Sequence, residues 1–442
     1  MRKPVQPRAT RRDGMARGAA TVVAQAVARP TDAVKEIKKE MAKLGKWRNL
    51  HRRGDAWMAA EQARAVLDAI GETVTDPVQG TALVMEFYKT DGRVFDATDD
   101  SNGEIGPVYK VEALELFVGY AKRHPNPTKL AHEVLALQAD DGYGVRDALI
   151  EGASEYLPAA VIDQMIATLL TPWEQALRAL PKRTDDRYVF VRLPGELLLQ
   201  LLARQRRNAA LFERLILARS PEPNGFLCTA IAEVYLLANE PKRAKAWLAR
   251  VTKDDVGCDE ADELRIQVAI ALGDPKARDA AAVRTFRRER SMETFAELVA
   301  VVGEAKRAAL LASERAAILK SRQLRSEEVA FLCDMGFVDD AEAHLLKHAK
   351  QLSGHDYEVL PALAKTMKSL QRSLAATVIW RALLDYILQG ARLKAYGHGR
   401  KYLAALDALA PSITDWRGVT PHGRYRAALV AKHARKASFW GP

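Results

Sequence analysis

From residue 31 onward the apolar positions of this sequence recur at spacings of three and four. The segment DAVKEIKKEMAKLGKW places Val34, Ile37, Met41 and Leu44 on one face beneath a basic one, the period of an amphipathic helix. A second helix is predicted over residues 56–70, with Met58, Ala63, Val66, Leu67 and Ile70 on one side. Asp76–Pro77 breaks the chain, because the residue before a proline leaves the helical region, and helix resumes over 82–88. Further helices are predicted over 108–120, 128–136 and 145–156. Asn126–Pro127 supplies an N-cap with Pro at the first helical position. Thr171-Pro172-Trp173-Glu174 reads as a capping box and predicts a helix start. Residues 181–188 read as a linker and a domain boundary.

Beyond residue 226 the pattern repeats. TAIAEVYLLANEPKRAKAWLARV is a helix, a turn at Asn239–Pro241 and a second helix in which Ala244 faces back. LRIQVAIALGDPKARDAAA repeats this around Gly273, and EEVAFLCDMGFVDDAEAHLL around Gly336 with Ala341 in the packing position. LAKTMKSLQRSLAATVIWRALL is a looser copy with Ala376, and Ala280 and Ala308 are further candidates. Small residues roughly 28–36 positions apart resemble tetratricopeptide-type helix pairs, where they let two helices approach closely. The aromatic positions of that repeat are mostly missing. The expected fold is all-α: a superhelical array of antiparallel helix pairs with a disordered basic N-terminal arm. Its expected parts are the arm (1–30), a helical unit with two acidic loops (31–181) and a helical-repeat domain with a C-terminal capping helix (188–442).

The candidate chemistry lies in those loops, DATDDSNGEIG at 96–106 and DDGYG at 140–144. Their candidate binding surface comprises Asp99, Asp100, Asn102, Glu104, Asp140, Asp141, Tyr143 and Arg146. The helices at 108–120 and 128–136 run out and back, which should bring both loops to one end. Asp100, Asn102 and Gly103 match the middle of an EF-hand loop, but that register puts Thr98 first and Tyr109 twelfth, where calcium needs a carboxylate and a bidentate Glu. Capping of backbone N–H groups, with Arg146 as the neutralising base, is the expectation, and no metal or cofactor is expected. At the C-terminus His422, Tyr425 and His433, with Phe439 and Trp440, suggest a helix docking on the last repeat. The two histidines lie eleven residues apart and lack an HExxH arrangement, so no metal site is expected.

Charge sharpens the picture. Residues 1–53 carry 15 Lys+Arg and 4 Asp+Glu, which accounts for the whole net charge of +11. A nucleic-acid interface would therefore use residues 1–53, through phosphate contacts that do not read sequence. The three cysteines are far apart and form no CxxC, which suits a reducing, cytoplasmic compartment. No apolar run reaches the ~18 residues of a membrane span, so no membrane partner is expected.

Four stretches carry a resemblance: EIKKEMAKLGKWRN, FDATDDSNGEIGPVY, DDGYGVRDALI and HGRYRAALVAKHARKASFW. Through them the chain resembles a bacterial family of uncharacterised helical proteins, a domain of unknown function related to regions that follow SWIM-type zinc fingers. The Cys/His cluster of such a finger is absent. The resemblance implies a helical architecture and no particular activity.

No phosphate loop, GxGxxG, HExxH or clustered nucleophile and base occurs. The expected function is a non-enzymatic scaffold that binds a protein or peptide. The alternatives are nucleic-acid association through the arm, and an enzyme using Asp99, Asp100, Glu104, Asp140 and Asp141.

Overall fold

The structure is a computed structural model and describes residues 30–46, 55–138, 141–180, 193–252 and 258–440. The basic arm, the 181–188 linker and Asp140 lie outside the described residues. Among those described the protein is all-helical, with no β-strand. Among the described residues no helix is long and apolar enough to cross a membrane. The chain divides into two compact units, residues 1–256 and 257–442.

The first unit contains α1 (Pro30–Leu44), α2 (Asp55–Thr73), α3 (Pro77–Tyr88), α4 (Asp91–Ala97), α5 (Ala113–Ala121), α6 (Pro127–Leu137), α7 (Asp147–Glu151), α8 (Ala153–Tyr156), α9 (Ala159–Ala179), α10 (Glu196–Gln205), α11 (Ala209–Arg219), α12 (Gly225–Leu237) and α13 (Pro241–Leu248). Two N-caps form as their sequences require: Asp76 accepts the Gln79 N–H at 2.7 Å and Asn126 the Lys129 N–H at 2.9 Å. The helix predicted at 108–120 opens instead with a π-helical turn, Val108–Glu112. That wider turn lets both Val108 and Tyr109 bury. The core is built around Phe87, Tyr88, Tyr109, Phe117 and Trp173, all fully buried. α3 and α5 approach unusually closely at Gly80, where a Cβ would lie 2.3 Å from the Tyr120 ring.

Thr171 does not start a helix. Pro172 sits inside α9, which runs unbroken from Ala159 to Ala179. Ile162, Met165, Ile166 and Trp173 bury along one face of it. Burial on both sides of Pro172 therefore outweighs the local start signal.

The second unit contains α14 (Cys258–Ala271), α15 (Pro275–Arg288), α16 (Met292–Val302), α17 (Arg307–Lys320), α18 (Ser326–Asp334), α19 (Val338–Lys347), α20 (Leu360–Ser369), α21 (Ser373–Gln389), α22 (Tyr396–Leu409), α23 (His422–His433) and α24 (Ala437–Trp440). Its core centres on Phe286, Phe295 and Phe331, whose rings meet edge-on or tilted at 5.4–5.8 Å.

Five tight helix pairs, α10–α11, α12–α13, α14–α15, α18–α19 and α20–α21, turn through one left-handed residue each: Arg207 (φ 52°), Asn239 (φ 61°), Gly273 (φ 64°), Gly336 (φ 83°) and Gln371 (φ 60°). In three of them a fully buried small residue follows five positions later, at Ala244, Ala341 and Ala376. Ala280 and Ala308 are exposed. In α15 the buried small residues are Ala281 and Ala282, and α17 buries Glu314 and Ile318. In these helices the pattern has drifted out of register, so a spacing rule alone misplaces the inward residue.

Candidate binding surface at the acidic loops

The first loop begins where α4 ends. Thr98 is buried and its hydroxyl donates to the Val94 carbonyl at 2.6 Å. The Asp100 carboxylate then gathers the chain: Oδ1 accepts the N–H groups of Glu104 (2.7 Å) and Ile105 (2.9 Å), and Oδ2 that of Gly106 (3.1 Å). Gly103, at φ +70°, closes the turn by donating to the Asp100 carbonyl at 2.8 Å. Asp99 accepts the Ser101 N–H at 3.1 Å.

The second loop repeats the device. Asp141 Oδ1 accepts the N–H groups of Tyr143 (3.1 Å) and Gly144 (2.7 Å), and Oδ2 that of Arg146 (3.0 Å). Each loop is thus wound around one aspartate carrying three charge-assisted hydrogen bonds.

The loops meet through α4. The Tyr143 hydroxyl donates to Asp96, and its ring stacks on Phe95 with centroids 5.0 Å apart. That hydrogen bond, with a smaller contribution from burial, raises the phenol above its ordinary pKa. Beneath, Arg146 closes a bidentate pair on Asp91, Nε to Oδ2 at 2.8 Å and Nη2 to Oδ1 at 2.7 Å. Its Nη1 donates to the Leu137 carbonyl at 2.7 Å. Both charged groups are almost wholly buried, at 5% and 1% exposure.

The sequence points to Arg146 as the neutralising base; its guanidinium pairs with Asp91 on α4, and its backbone N–H reaches the Asp141 carboxylate of the second loop. Asp91 and Phe95 lie outside the loops as the sequence bounds them, and Asp96, which opens the first loop, is not among the candidate residues. The available signal was weak, since an acid in the first turn of a short helix reads as a cap.

What remains facing solvent is an acidic edge. Asp96, Asp99, Asn102 and Tyr143 are exposed, and Asp100, Glu104 and Asp141 partly so. Thr98 and Tyr109, the ends of an EF-hand register, are buried. Among the described residues no group of three or more His, Cys, Asp or Glu could hold a metal ion. Converging backbone donors hold the Asp100 and Asp141 carboxylates.

A family model matches residues 9–442. The chain belongs to DUF6880, a family of unknown function. No curated protein and no solved structure matches it. The DUF6880 match spans both units, including the residues near the C-terminus.

There, His422 is buried and its Nε2 lies 2.7 Å from Asp407 Oδ1. The Tyr425 hydroxyl donates to Asp385 at 2.9 Å, and its ring covers Arg381 at 4.3 Å. Burial pushes the Asp385 carboxyl above, and the His433 imidazole below, their ordinary values. Phe439 is buried edge-on to Tyr396 at 5.4 Å, and Trp440 Nε1 donates to the His433 carbonyl at 3.0 Å. These residues pin α23 and α24 onto α21 and α22.

Proposed function

We propose that this DUF6880 protein is a non-enzymatic helical scaffold whose joined acidic loops dock a protein or peptide partner. The observation that carries this reading is the double clamp of Tyr143 on Asp96 and Arg146 on Asp91. It fixes the edge before any partner arrives, so little ordering entropy is lost on binding. An exposed tyrosine ring set among acidic side chains suits a basic segment with an apolar or aromatic anchor. Against acid–base chemistry stands the engagement of the Asp100 and Asp141 carboxylates by three backbone N–H groups each, which gives them a structural task within their own loops. A tetratricopeptide-like superhelical stacking of the helix pairs is part of the same proposal. It is supported by the shared left-handed turns and by Ala244, Ala341 and Ala376. Kinship with the regions that follow SWIM-type zinc fingers also belongs to the proposal and rests on the four sequence stretches.

The test reverses charge without touching the clamp. Asn102→Lys and Glu104→Lys alter side chains outside those hydrogen bonds. Wild type and the double variant are compared by affinity capture with mass spectrometry, with melting checked in parallel. A partner retained by wild type, lost by the variant at unchanged melting temperature, is expected. Identical captured sets would refute the docking edge.

A further inference from the structure

We propose that the C-terminal helices form a second working surface, which binds the phosphodiester backbone of nucleic acid. This goes beyond the acidic-loop reading and is independent of it. Residues 391–442 contain ten Lys+Arg against two Asp+Glu. The basic arm had obscured this excess, because the segments between the two compensate for it.

Elsewhere in this unit arginines meet carboxylates. Asp262 accepts from Arg265 at 2.7 Å and Arg284 at 3.0 Å, and Glu314 from Arg287 at 2.6 Å and Arg290 at 3.0 Å. Near the C-terminus the two acids are engaged: Asp407 with His422 (2.7 Å) and Arg426 (3.2 Å), and Asp415 with the Arg417 N–H (2.9 Å). Lys401, Arg424 and Arg435 are exposed and, among the described residues, close no ion pair; Lys432 is exposed too and acts on the Asp385 carboxyl without closing an ion pair.

Their placement follows from how α23 docks. His422, Leu429 and His433 are buried along one side. The other side carries Arg424 and Lys432, with Arg435 just past the helix end and exposed Ala427, Ala428 and Ala431 between them. Arg424 and Lys432 lie eight residues apart, about 12 Å along the axis. The small alanines leave room for a polymer backbone to approach.

The same geometry selects the partner. An interfacial membrane helix needs a free apolar face, and the apolar face of α23 is already buried against its own fold. Only Leu393 and Val430 are exposed large apolar residues in this segment. An acidic protein partner would be expected to find exposed aromatic anchors, whereas Tyr425 and Trp440 are partly buried. Cations on a smooth, small-residue surface match a regular row of phosphates.

The experiment uses the full chain and a fluorescein-labelled 20-base-pair duplex of arbitrary sequence, read by anisotropy across a salt series. Wild type should bind with a steep salt dependence, unchanged when the sequence is scrambled. Arg424→Gln, Lys432→Gln and Arg435→Gln together should weaken binding roughly tenfold or more. They should also flatten the log–log salt slope by about 2.7, at about 0.9 per phosphate contact. Replacing Arg11, Arg12 and Arg17 by Gln separates any contribution of the arm. Should the triple variant fail to fold, Ala428→Glu places one negative charge mid-surface and should weaken binding in the same direction. The proposal is overturned if wild type does not bind the duplex. It is equally overturned if the C-terminal variant keeps its affinity and slope while the arm variant loses both, or if vesicles with 30% phosphatidylserine bind and the duplex does not.

Discussion

Replacing Arg146 by Met tests the clamp beneath the acidic edge most directly. The substitution keeps the stem's volume and removes the guanidinium. Two charge-assisted bonds to Asp91, at 2.8 and 2.7 Å, and one to the Leu137 carbonyl disappear. Asp91 is left as a carboxylate at 1% exposure with its cation gone. Removing one partner of a buried pair costs about 3–5 kcal/mol, chiefly through the stranded charge. For a unit of this size that corresponds to a fall of roughly 6–20 °C in melting temperature. The double variant Asp91→Leu, Arg146→Met removes both charges together and should recover most of the loss, ending within about 1–2 kcal/mol of wild type. Urea unfolding followed by helical circular dichroism measures the three variants. Hydrogen exchange at the amides around 137–146 assigns the loss to this unit. A single-variant cost below about 1 kcal/mol, or a double variant as costly as the sum of its singles, would refute the argument.

Two further predictions concern packing and pH. Gly80→Ala would set a Cβ 2.3 Å from a Tyr120 ring that cannot swing away, since its hydroxyl is held by the Ile70 carbonyl at 3.0 Å and the Val74 carbonyl at 2.7 Å. Overpacking of about 1–3 kcal/mol should outweigh the roughly 1 kcal/mol gained in helix propensity, and a variant that melts higher than wild type would contradict this. Burial, then the charges of His348 and Lys347, lowers the His344 pKa below 6.5, so the folded state prefers the neutral ring. Its contribution to stability is complete above pH 6.5 and is lost as pH falls from there toward the lower folded value. The pH-stability curve of His344→Asn should accordingly be flatter than that of wild type below pH 6.5, and superimposable curves would sink the point.

The helical period was legible because most helices bury one clean face, and so was the return of the chain between the two loops. Asp100 was legible as a cap because Asp before a Gly-containing turn has few other uses. Asp91 was not, because nothing local separates a buried, arginine-paired aspartate from an exposed capping one. That difference is decided 55 residues away, at Arg146. Thr171–Pro172 misled for the converse reason: the local signal is sound, and distant burial of Trp173 overrides it. Ala244, Ala341 and Ala376 were found because their offset from a left-handed turn is constant. Ala280 and Ala308 were not, because α15 and α17 do not keep that offset. The Tyr425–Asp385 and His422–Asp407 contacts each join a legible residue to a partner that no spacing rule reaches.

The Asp91–Arg146 pair also sets an order of events. Closing a loop of 55 residues costs about 3.5 kcal/mol in chain entropy, comparable with the loss expected on removing the arginine. The pair therefore forms only once α5 and α6 have packed the intervening chain. During synthesis at roughly 5–20 residues per second, Asp91 waits several seconds for its cation to emerge. Until then α4 has to keep that carboxylate in water. The end of the unit that bears the acidic edge should accordingly be sealed late, and the segment between the two loops should open and close as a single piece.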